Sequence, residues 1–410
     1  MSQKKLLVIG YVWPEPQSSA AGARMMQLLE FFIAKGYSIT FATTAAKTEF
    51  MIDLPSRGIA AEKIELNNKS FDLFLKKINP GIVIFDRFMM EEQFGWRVAE
   101  VCPEAIRILD TEDLHFLRKA RQEAHKKNTE VSPYLLFSDT AKREIASIYR
   151  CDLSLIISKA EMDLLKENFQ IPEQLLFYLP FMISTKENKD HLGFEERKDF
   201  ISMGNFLHAP NKDAVIRLKK EIWPLIKEKL PEAKIHIFGA YIPQEIIQMH
   251  NEKEGFLVHG RAKSAKDEIE KAKVLLAPLN FGAGLKGKFT DAMQAGTPTV
   301  TSSTGAEGLP GASWNGLVKD SNEDFARAAV ELYHKEGLWK ECRENGYRLL
   351  EQEFSLSLHW ERFHGILKEL KTKLQEHRLE NFTGQMLQHH SLQSTKYLAK
   401  YIEAKNKDRL

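Results

Sequence analysis

Residues 274–293 read VLLAPLNFGAGLKGKFTDAM, a short apolar run that leads into a glycine-rich turn with two lysines. The pattern predicts a strand over 274–278 and then a helix that contains Asp291. Gly284 and its neighbouring glycines let the backbone approach a ligand closely, while Lys286 and Lys288 add positive charge at a helix N-terminus. The stretch therefore favours a phosphate site; the alternative is a tight turn with two solvated lysines.

A second glycine-rich loop follows the next predicted strand. Residues 295–301 read AGTPTVT, a turn that enters a short strand, and residues 305–309 read GAEGL. Loops at successive carboxyl ends of parallel strands border the same crevice. We therefore expect one ligand site along this edge of the sheet.

Composition restricts the class of protein. The chain has 410 residues, 43% of them hydrophobic and 28% charged, which is typical of a globular protein with room for two domains. A net charge of +2 does not indicate a nucleic-acid partner. Cys102, Cys151 and Cys342 lack paired spacing, so neither disulfides nor a zinc site is expected. Without a secretory or membrane-spanning pattern, we expect a cytoplasmic protein whose membrane contact, if any, is peripheral.

Short apolar strands alternate with amphipathic helices along the chain. This pattern predicts a parallel sheet covered on both faces. It stops at a polar stretch over 184–199 and then starts again, which predicts two doubly wound α/β halves that face one another across a cleft. The predicted units are a first domain over 1–183, a linker over 184–199 and a second domain over 200–356.

The segments over 277–293 and 295–309 resemble the donor site of the retaining family 4 glycosyltransferases, which have the GT-B fold. Upstream, FISMG at 200–204, HAPNKDAV at 208–215 and IHIFG at 235–239 resemble the opening of that family's second domain. The stretch VWPEPQSSAAGAR at 12–24 resembles its first loop more loosely. The resemblance implies two Rossmann-like domains, a nucleoside-diphosphate sugar as donor, an unknown acceptor, and a last helix over 357–376 that crosses back to the first domain.

The same resemblance implies roles for residues of the glycine-rich turn over 281–288, which we call the donor loop. Lys286 and Lys288 would neutralise the diphosphate. Gly284, in the same loop, is also a candidate for donor binding. Asp291 stands where the family usually has a glutamate that binds the ribose, and its alternative role is that of an ordinary acid in the first turns of a helix. Ala283 replaces a glutamate that touches the transferred sugar in many members, so the identity of that sugar stays open.

Other donor-binding candidates come from the first loops of the second domain. Gly204, Asn205 and His208 lie where that domain approaches the phosphates, although His208 is equally compatible with an ordinary loop position. Other members have a basic residue near Asn205. Its absence here leaves Lys212 or Arg261 to supply charge beside the two lysines of the donor loop.

The first domain offers two further candidates. Gly22 lies in a loop that leads into a helix N-terminus, which suits an anion; the alternative is an ordinary capped turn. The loop lacks the G-x-G-x-x-G pattern of dinucleotide sites. Arg24, just beyond it, either reaches a phosphate or projects into solvent. His115 is the catalytic candidate, because related transferases contact the donor sugar with a histidine here; the alternative is a capping loop held by Asp110 or Asp113.

No Asp-x-Asp pair or histidine cluster indicates a metal, and no cofactor is expected. The resemblance implies a retaining glycosyltransferase. The alternatives are a nucleotide-sugar 2-epimerase and a catalytically silent subunit that binds sugar nucleotides. The tail over 377–410 is too apolar for a fully solvated end. It predicts either a further helix packed on the protein or an amphipathic contact with a partner or membrane.

Overall fold

The fold begins with a parallel sheet of seven strands, seen in a computed structural model that describes residues 4–184, 191–309, 314–389 and 397. Its spatial order is β3-β2-β1-β4-β5-β6-β7. The switch in order between β1 and β4 opens a crevice at their carboxyl ends. The strands are β1 (Lys5–Gly10), β2 (Ser38–Thr43), β3 (Ala60–Lys63), β4 (Ile82–Asp86), β5 (Ile106–Asp110), β6 (Leu153–Ile156) and β7 (Leu176–Tyr178).

Helices cover both faces of this sheet. Alternate residues of β1 show why: Leu6 and Val8 pack into one apolar cluster, whereas Leu7 and Ile9 pack into the other. A strand buried on both faces needs apolar residues throughout, which explains its continuous apolar run. The helices are α1 (Ala20–Ala34), α2 (Ser70–Ile78), α3 (Phe88–Val101), α4 (His115–Lys126), α5 (Pro133–Leu136), α6 (Asp139–Arg150) and α7 (Lys159–Asn168).

The second half contains a parallel sheet of six strands, in the order β10-β9-β8-β11-β12-β13. Its switch point lies between β8 and β11. The strands are β8 (Lys198–Met203), β9 (Ile235–Phe238), β10 (Phe256–Gly260), β11 (Ala272–Ala277), β12 (Thr299–Thr301) and β13 (Gly316–Val318). The helices are α8 (Ala209–Arg217), α9 (Trp223–Lys229), α10 (Gln244–Ile247), α11 (Ala265–Lys271), α12 (Gly287–Gln294), α13 (Ser303–Ala306), α14 (Asn322–His334) and α15 (Glu336–Glu353).

The chain then returns to the first half. The Ile183 N–H donates to the Phe354 carbonyl at 2.7 Å, and the Leu356 N–H donates to the Ile183 carbonyl at 3.0 Å. Helix α16 (Leu356–Glu380) follows directly. Its buried residue Phe363 packs against Phe31 of α1, with ring centroids 4.8 Å apart. The C-terminal helix is therefore part of the core of the first half.

A last helix, α17 (Phe382–His389), continues along the first half. The Asn381 side-chain amide donates to the Tyr149 carbonyl at 2.7 Å, and that of Gln388 donates to the Arg150 carbonyl at 3.0 Å. Up to His389 the tail thus packs on its own protein. The other residues of the predicted tail, apart from Tyr397, lie outside the described residues. None of the helices in the described ranges is long and apolar enough to cross a bilayer.

The predicted linker differs from the structure at its end. Strand β8 begins at Lys198, inside the stretch 184–199 that the low apolar content assigned to a linker. Residues 185–190 lie outside the described residues. The strand starts early because Lys198 pairs with Ala272 of β11, a backbone interaction that does not depend on an apolar side chain.

Both expectations for Arg24 are wrong. Its side chain is fully buried, and its guanidinium forms an ion pair with Asp110 at 3.0 Å. It also donates to the backbone carbonyl of Leu179 at 2.5 Å. The pair connects α1, the end of β5 and the segment after β7, so Arg24 stabilises the first half and does not reach the cleft.

We expect Arg24→Ala to lower the free energy of unfolding by about 3–5 kcal/mol, the usual effect of removing one partner from a buried ion pair. The Asp110 carboxylate would be left buried without its cation. Urea denaturation followed by circular dichroism measures the change. The exposed Arg57 provides the control, because Arg57→Ala should change stability by less than about 0.5 kcal/mol. Equal stabilities for the two variants would contradict this role of Arg24.

Candidate active site

The carboxyl ends of the two sheets face each other across a cavity of about 870 Å³. Both halves line it, as predicted for a cleft between two doubly wound domains. The predicted site residues that line the cavity are His115, Gly204, Asn205, His208, Arg261, Lys286, Lys288 and Asp291. Gly22 and Gly284 lie behind its wall.

The donor loop places two ammonium groups at one helix N-terminus. Lys286 is the residue before α12, and Lys288 is in its first turn. The Lys286 ammonium donates to the Gly284 carbonyl at 2.9 Å, and that of Lys288 donates to the Asn211 side-chain carbonyl at 2.7 Å. Neither lysine forms an ion pair within the described part of the chain. Both ammonium groups thus lie close to the first amides of α12, an arrangement that would favour an anion.

Burial makes these charges costly in the free protein. It lowers the pKa of Lys286 to about 8, an effect that nearby Glu307 partly offsets. It lowers the pKa of Lys288 to about 7, and the charge of Lys286 adds to that effect. An anion bound between them would restore the charged form of both groups.

Asp291 faces the same cavity one turn further along α12. Burial raises its pKa to about 6, and Lys266 is the cation that opposes this shift. Lys263 and Lys266 also line the cavity, although sequence reasoning did not select them. Lys212, which it did consider, instead pairs with Glu245 at 2.5 Å outside the cavity.

Gly204 and Asn205 shape the wall beside the donor loop, on the same half of the protein. A Cβ atom on Gly204 would lie 2.5 Å from the Asn211 side chain, so only glycine fits there. The Asn205 side-chain amide donates to the Ser18 carbonyl across the cleft at 3.2 Å. His208 immediately precedes α8, lines the cavity and is exposed.

Arg261 lies at the rim and is exposed. Its guanidinium donates to the Ser18 hydroxyl at 3.3 Å and to the Gln17 side chain at 3.2 Å, and it stacks over the Phe50 ring at 4.4 Å. These contacts join the loop after β10 to the loop after β1. Arg261 thus bridges the two halves beside the cavity.

The two predicted glycines outside the cavity have packing roles. A Cβ atom on Gly22 would lie 2.5 Å from the Glu15 backbone, and its N–H donates to the Ser19 hydroxyl that caps α1. Gly284 has a φ of +63°, and a Cβ atom there would lie 2.8 Å from the Asp113 Cβ of the other half. Gly22 lets α1 pack against its own loop, and Gly284 lets the halves approach one another.

His115 is the first residue of α4 and is nearly buried in the cavity wall. Burial lowers its pKa to about 3, against the opposing effect of Asp113. Its Nε2 lies 3.6 Å from the nearest Asp113 carboxylate oxygen and has no hydrogen-bond partner among the described residues. The imidazole is therefore neutral, and its Nε2 is buried beside Asp113.

The capping alternative for this loop is wrong. Asp110 pairs with Arg24, and Asp113 accepts a hydrogen bond from Arg118 at 2.6 Å. The amides of His115 and Phe116 instead donate to Glu144 of α6, at 3.1 and 3.0 Å. This cap comes from a helix 29 residues further along the chain, so local sequence gives no sign of it.

Glu161 was also missed, and it joins the two halves. One carboxylate oxygen accepts from the Leu114 N–H at 3.0 Å and from the Gly284 N–H at 2.9 Å. On the same side of the cleft, Arg121 pairs with Glu307 at 2.5 Å and donates to the Gly282 carbonyl at 2.8 Å. These bonds hold the donor loop against the first half.

Among the described residues, no group of three or more histidine, cysteine, aspartate or glutamate side chains is placed to hold a metal ion. Cys102, Cys151 and Cys342 are free thiols buried in the apolar clusters. The candidate site is thus defined by lysines, arginines, helix amides and buried carboxyls.

Comparisons with known proteins agree with this architecture, and the chain has the GT-B fold, which confirms the predicted fold class. The model of the family described as Glycosyl transferases group 1 matches residues 197–335. No curated protein matches the sequence. Sucrose-phosphate synthase from Thermosynechococcus elongatus superimposes with a TM-score of 0.69 at 13% identity, covering 90% of this chain and 99% of that one.

Two other solved structures are similar to the same extent. TarM from S. aureus, in a complex with Fondaparinux, alpha-GlcNAc-glycerol and UDP, has a TM-score of 0.69 at 10% identity, with 89% and 99% coverage. HepE from Anabaena, in complex with UDP and glucose, has a TM-score of 0.68 at 11% identity, with 89% and 100% coverage. At these identities the likeness defines the fold.

We expect Lys288→Met to stabilise the free protein more at pH 6 than at pH 9. The folded-state pKa of Lys288, about 7, lies below its unfolded value of about 10.4. Between these values the unfolded chain binds a proton that the folded chain does not, so the native lysine favours folding increasingly as pH rises through this window. Methionine removes both the low-pH penalty and this gain.

Thermal unfolding at the two pH values measures the difference. Lys340→Met is the matched control, because Lys340 lies on the surface of α15 and pairs with Glu336. A gain for Lys288→Met that is the same at both pH values, or greater at pH 9, would contradict a desolvated lysine.

Proposed function

We propose that the protein is a glycosyltransferase that moves a sugar from a nucleoside-diphosphate donor to an acceptor with retention of configuration. One observation carries the proposal: Lys286 and Lys288, which are desolvated and form no ion pair with a carboxylate of the described residues, line a cavity between two Rossmann-like halves. A diphosphate supplies the negative charge that this place lacks. The family match over 197–335 supports the same reading.

The proposed mechanism assigns the leaving group to the second half. Lys286, Lys288 and the amides of α12 stabilise the diphosphate as negative charge develops on it. Asp291 accepts hydrogen bonds from the ribose hydroxyls. With retention, the acceptor hydroxyl attacks from the side on which the diphosphate leaves, so a phosphate oxygen can take its proton and no enzymic nucleophile is required.

His115 would hold the transferred sugar from the first half. Its neutral imidazole lies in the cavity wall. Ala283 also lines the cavity and has no carboxylate to add. Contacts to the sugar must therefore come mainly from the first half, which supports His115 as the residue that orients it.

Uridine nucleotides are the first donors to test, because the TarM and HepE structures are complexes with UDP. Incubation with UDP-glucose and UDP-N-acetylglucosamine, followed by NMR of the products, distinguishes the candidate functions. Released UDP with a sugar or glycoside of retained anomeric configuration supports transfer. A donor changed only at C2 indicates an epimerase, and nucleotide binding without turnover of any donor indicates a silent binding subunit.

Replacing either Lys286 or Lys288 with alanine should weaken UDP binding by roughly 1.5–3 kcal/mol, the range for a charge-assisted hydrogen bond. Each variant loses one cation from the proposed diphosphate site. Isothermal titration calorimetry measures the change at fixed salt concentration. Lys340→Ala is the control. Lys340 lies on the exposed surface of α15, away from the cavity, so this variant should bind UDP as the parent does. Parental affinity in both site variants would rule out the diphosphate assignment.

A further inference from the structure

Two residues at neighbouring strand ends have unusual backbone conformations. Arg87 follows β4 with a φ of +72°, and Glu112 follows β5 with a φ of +62°. Non-glycine residues adopt this left-handed region at an energetic cost, and such conformations concentrate at functional sites. Both residues line the large cavity on the wall formed by the first half.

Neither side chain is satisfied within the described part of the chain. Glu112 is 8% exposed, and its Oε1 is buried without a hydrogen-bond partner. The Arg87 guanidinium lies over the Tyr11 ring at 5.0 Å, and its nearest carboxylate oxygen, on Asp86, is 3.8 Å away. A buried carboxyl and a guanidinium without hydrogen bonds both leave strong bonding capacity open to a ligand.

The two groups also fail to bond with each other. They are close enough for the charge of Arg87 to act on Glu112, yet they form no ion pair. Arg87 and Glu112 follow Asp86 and Asp110, which face each other in the pairing of β4 with β5. Both residues have positive φ, and the structure keeps a donor and an acceptor apart without an ion pair between them.

We propose that Arg87 and Glu112 bind adjacent hydroxyl groups of a carbohydrate acceptor. One hydroxyl donates to the Glu112 carboxyl, and its neighbour accepts from the Arg87 guanidinium. This inference rests on the proposed glycosyl transfer, since it places the acceptor on the first half opposite the donor lysines. A vicinal diol satisfies both groups. An isolated hydroxyl would satisfy only one of the two groups.

The test uses variants that tolerate the same backbone. Asparagine adopts left-handed φ more readily than most residues, so Arg87→Asn and Glu112→Asn remove the groups without disturbing the turns. Arg57→Asn, on the exposed surface, and Glu123→Asn, whose side chain is 44% exposed, are the matched controls outside the cavity. Saturation-transfer NMR with a panel of methyl hexopyranosides, at saturating UDP, measures binding, and cyclohexanol serves as a ring with a single hydroxyl.

We expect at least one methyl hexopyranoside to bind the parent and both controls, and cyclohexanol not to bind. Each site variant should lose roughly tenfold or more in glycoside affinity, the loss for one charge-assisted hydrogen bond. Its affinity for UDP should stay within about twofold of the parent's, since the groups lie opposite the lysines. Unchanged glycoside affinity in the variants, or binding of UDP with no glycoside of the panel, would overturn the proposal.

Thermal unfolding separates a binding role from a structural one. Glu112→Asn should leave the melting temperature unchanged or raise it, because it removes a buried carboxyl without a partner. A lower melting temperature with parental glycoside binding would assign Glu112 to the fold instead. If the parent binds no nucleotide or donor, the proposed function fails by itself, and glycoside binding measured without UDP still decides the role of the pair.

Discussion

Polar groups at the carboxyl ends of two parallel sheets need hydrogen-bond partners. In this protein, each half supplies some of these partners to the other half. Glu161 shows this need for partners most directly. Its carboxylate accepts hydrogen bonds from the Leu114 N–H of its own half and from the Gly284 N–H of the other half. Burial raises the pKa of Glu161 to about 7. The Glu161 carboxyl therefore helps to position both α4 and the donor loop, and so contributes to the shape of the cavity.

Several ionisable groups that line the cavity are desolvated in the free protein, and a bound ligand can offset the free energy that this costs. Burial opposes the charges of Lys286 and Lys288, and it opposes the ionisation of Asp291 and Glu112. A core built only for stability would not gather such groups, because each desolvated charge weakens the folded state. Their concentration on facing walls of one cavity is what an active site requires, since binding then restores the interactions that folding removed.

Sequence predicts the parts of this arrangement that are local. The donor loop was recognisable because its glycines, lysines and helix are contiguous, and the long apolar strands were recognisable from their composition. Apolar patterning does not reveal strand β3, because its four residues, Ala60–Lys63, have no large apolar side chain. Glu144, Glu161 and the partner of Arg24 were missed for a different reason: each acts on a segment tens of residues away or more, and no spacing rule reports such a contact.

Helix α16 has a consequence for how the protein is made. Phe363, Leu367 and Leu370 fill the same apolar cluster as Phe31 and Phe32, which lie more than three hundred residues earlier in the chain. During synthesis, the first half leaves the ribosome long before these side chains exist, so part of its apolar surface stays uncovered while the second half is translated. Domains usually fold as units in the order of their synthesis. Here the first half cannot complete its apolar core until α16 has been synthesised. Until then, the growing chain exposes an apolar surface that a chaperone can bind.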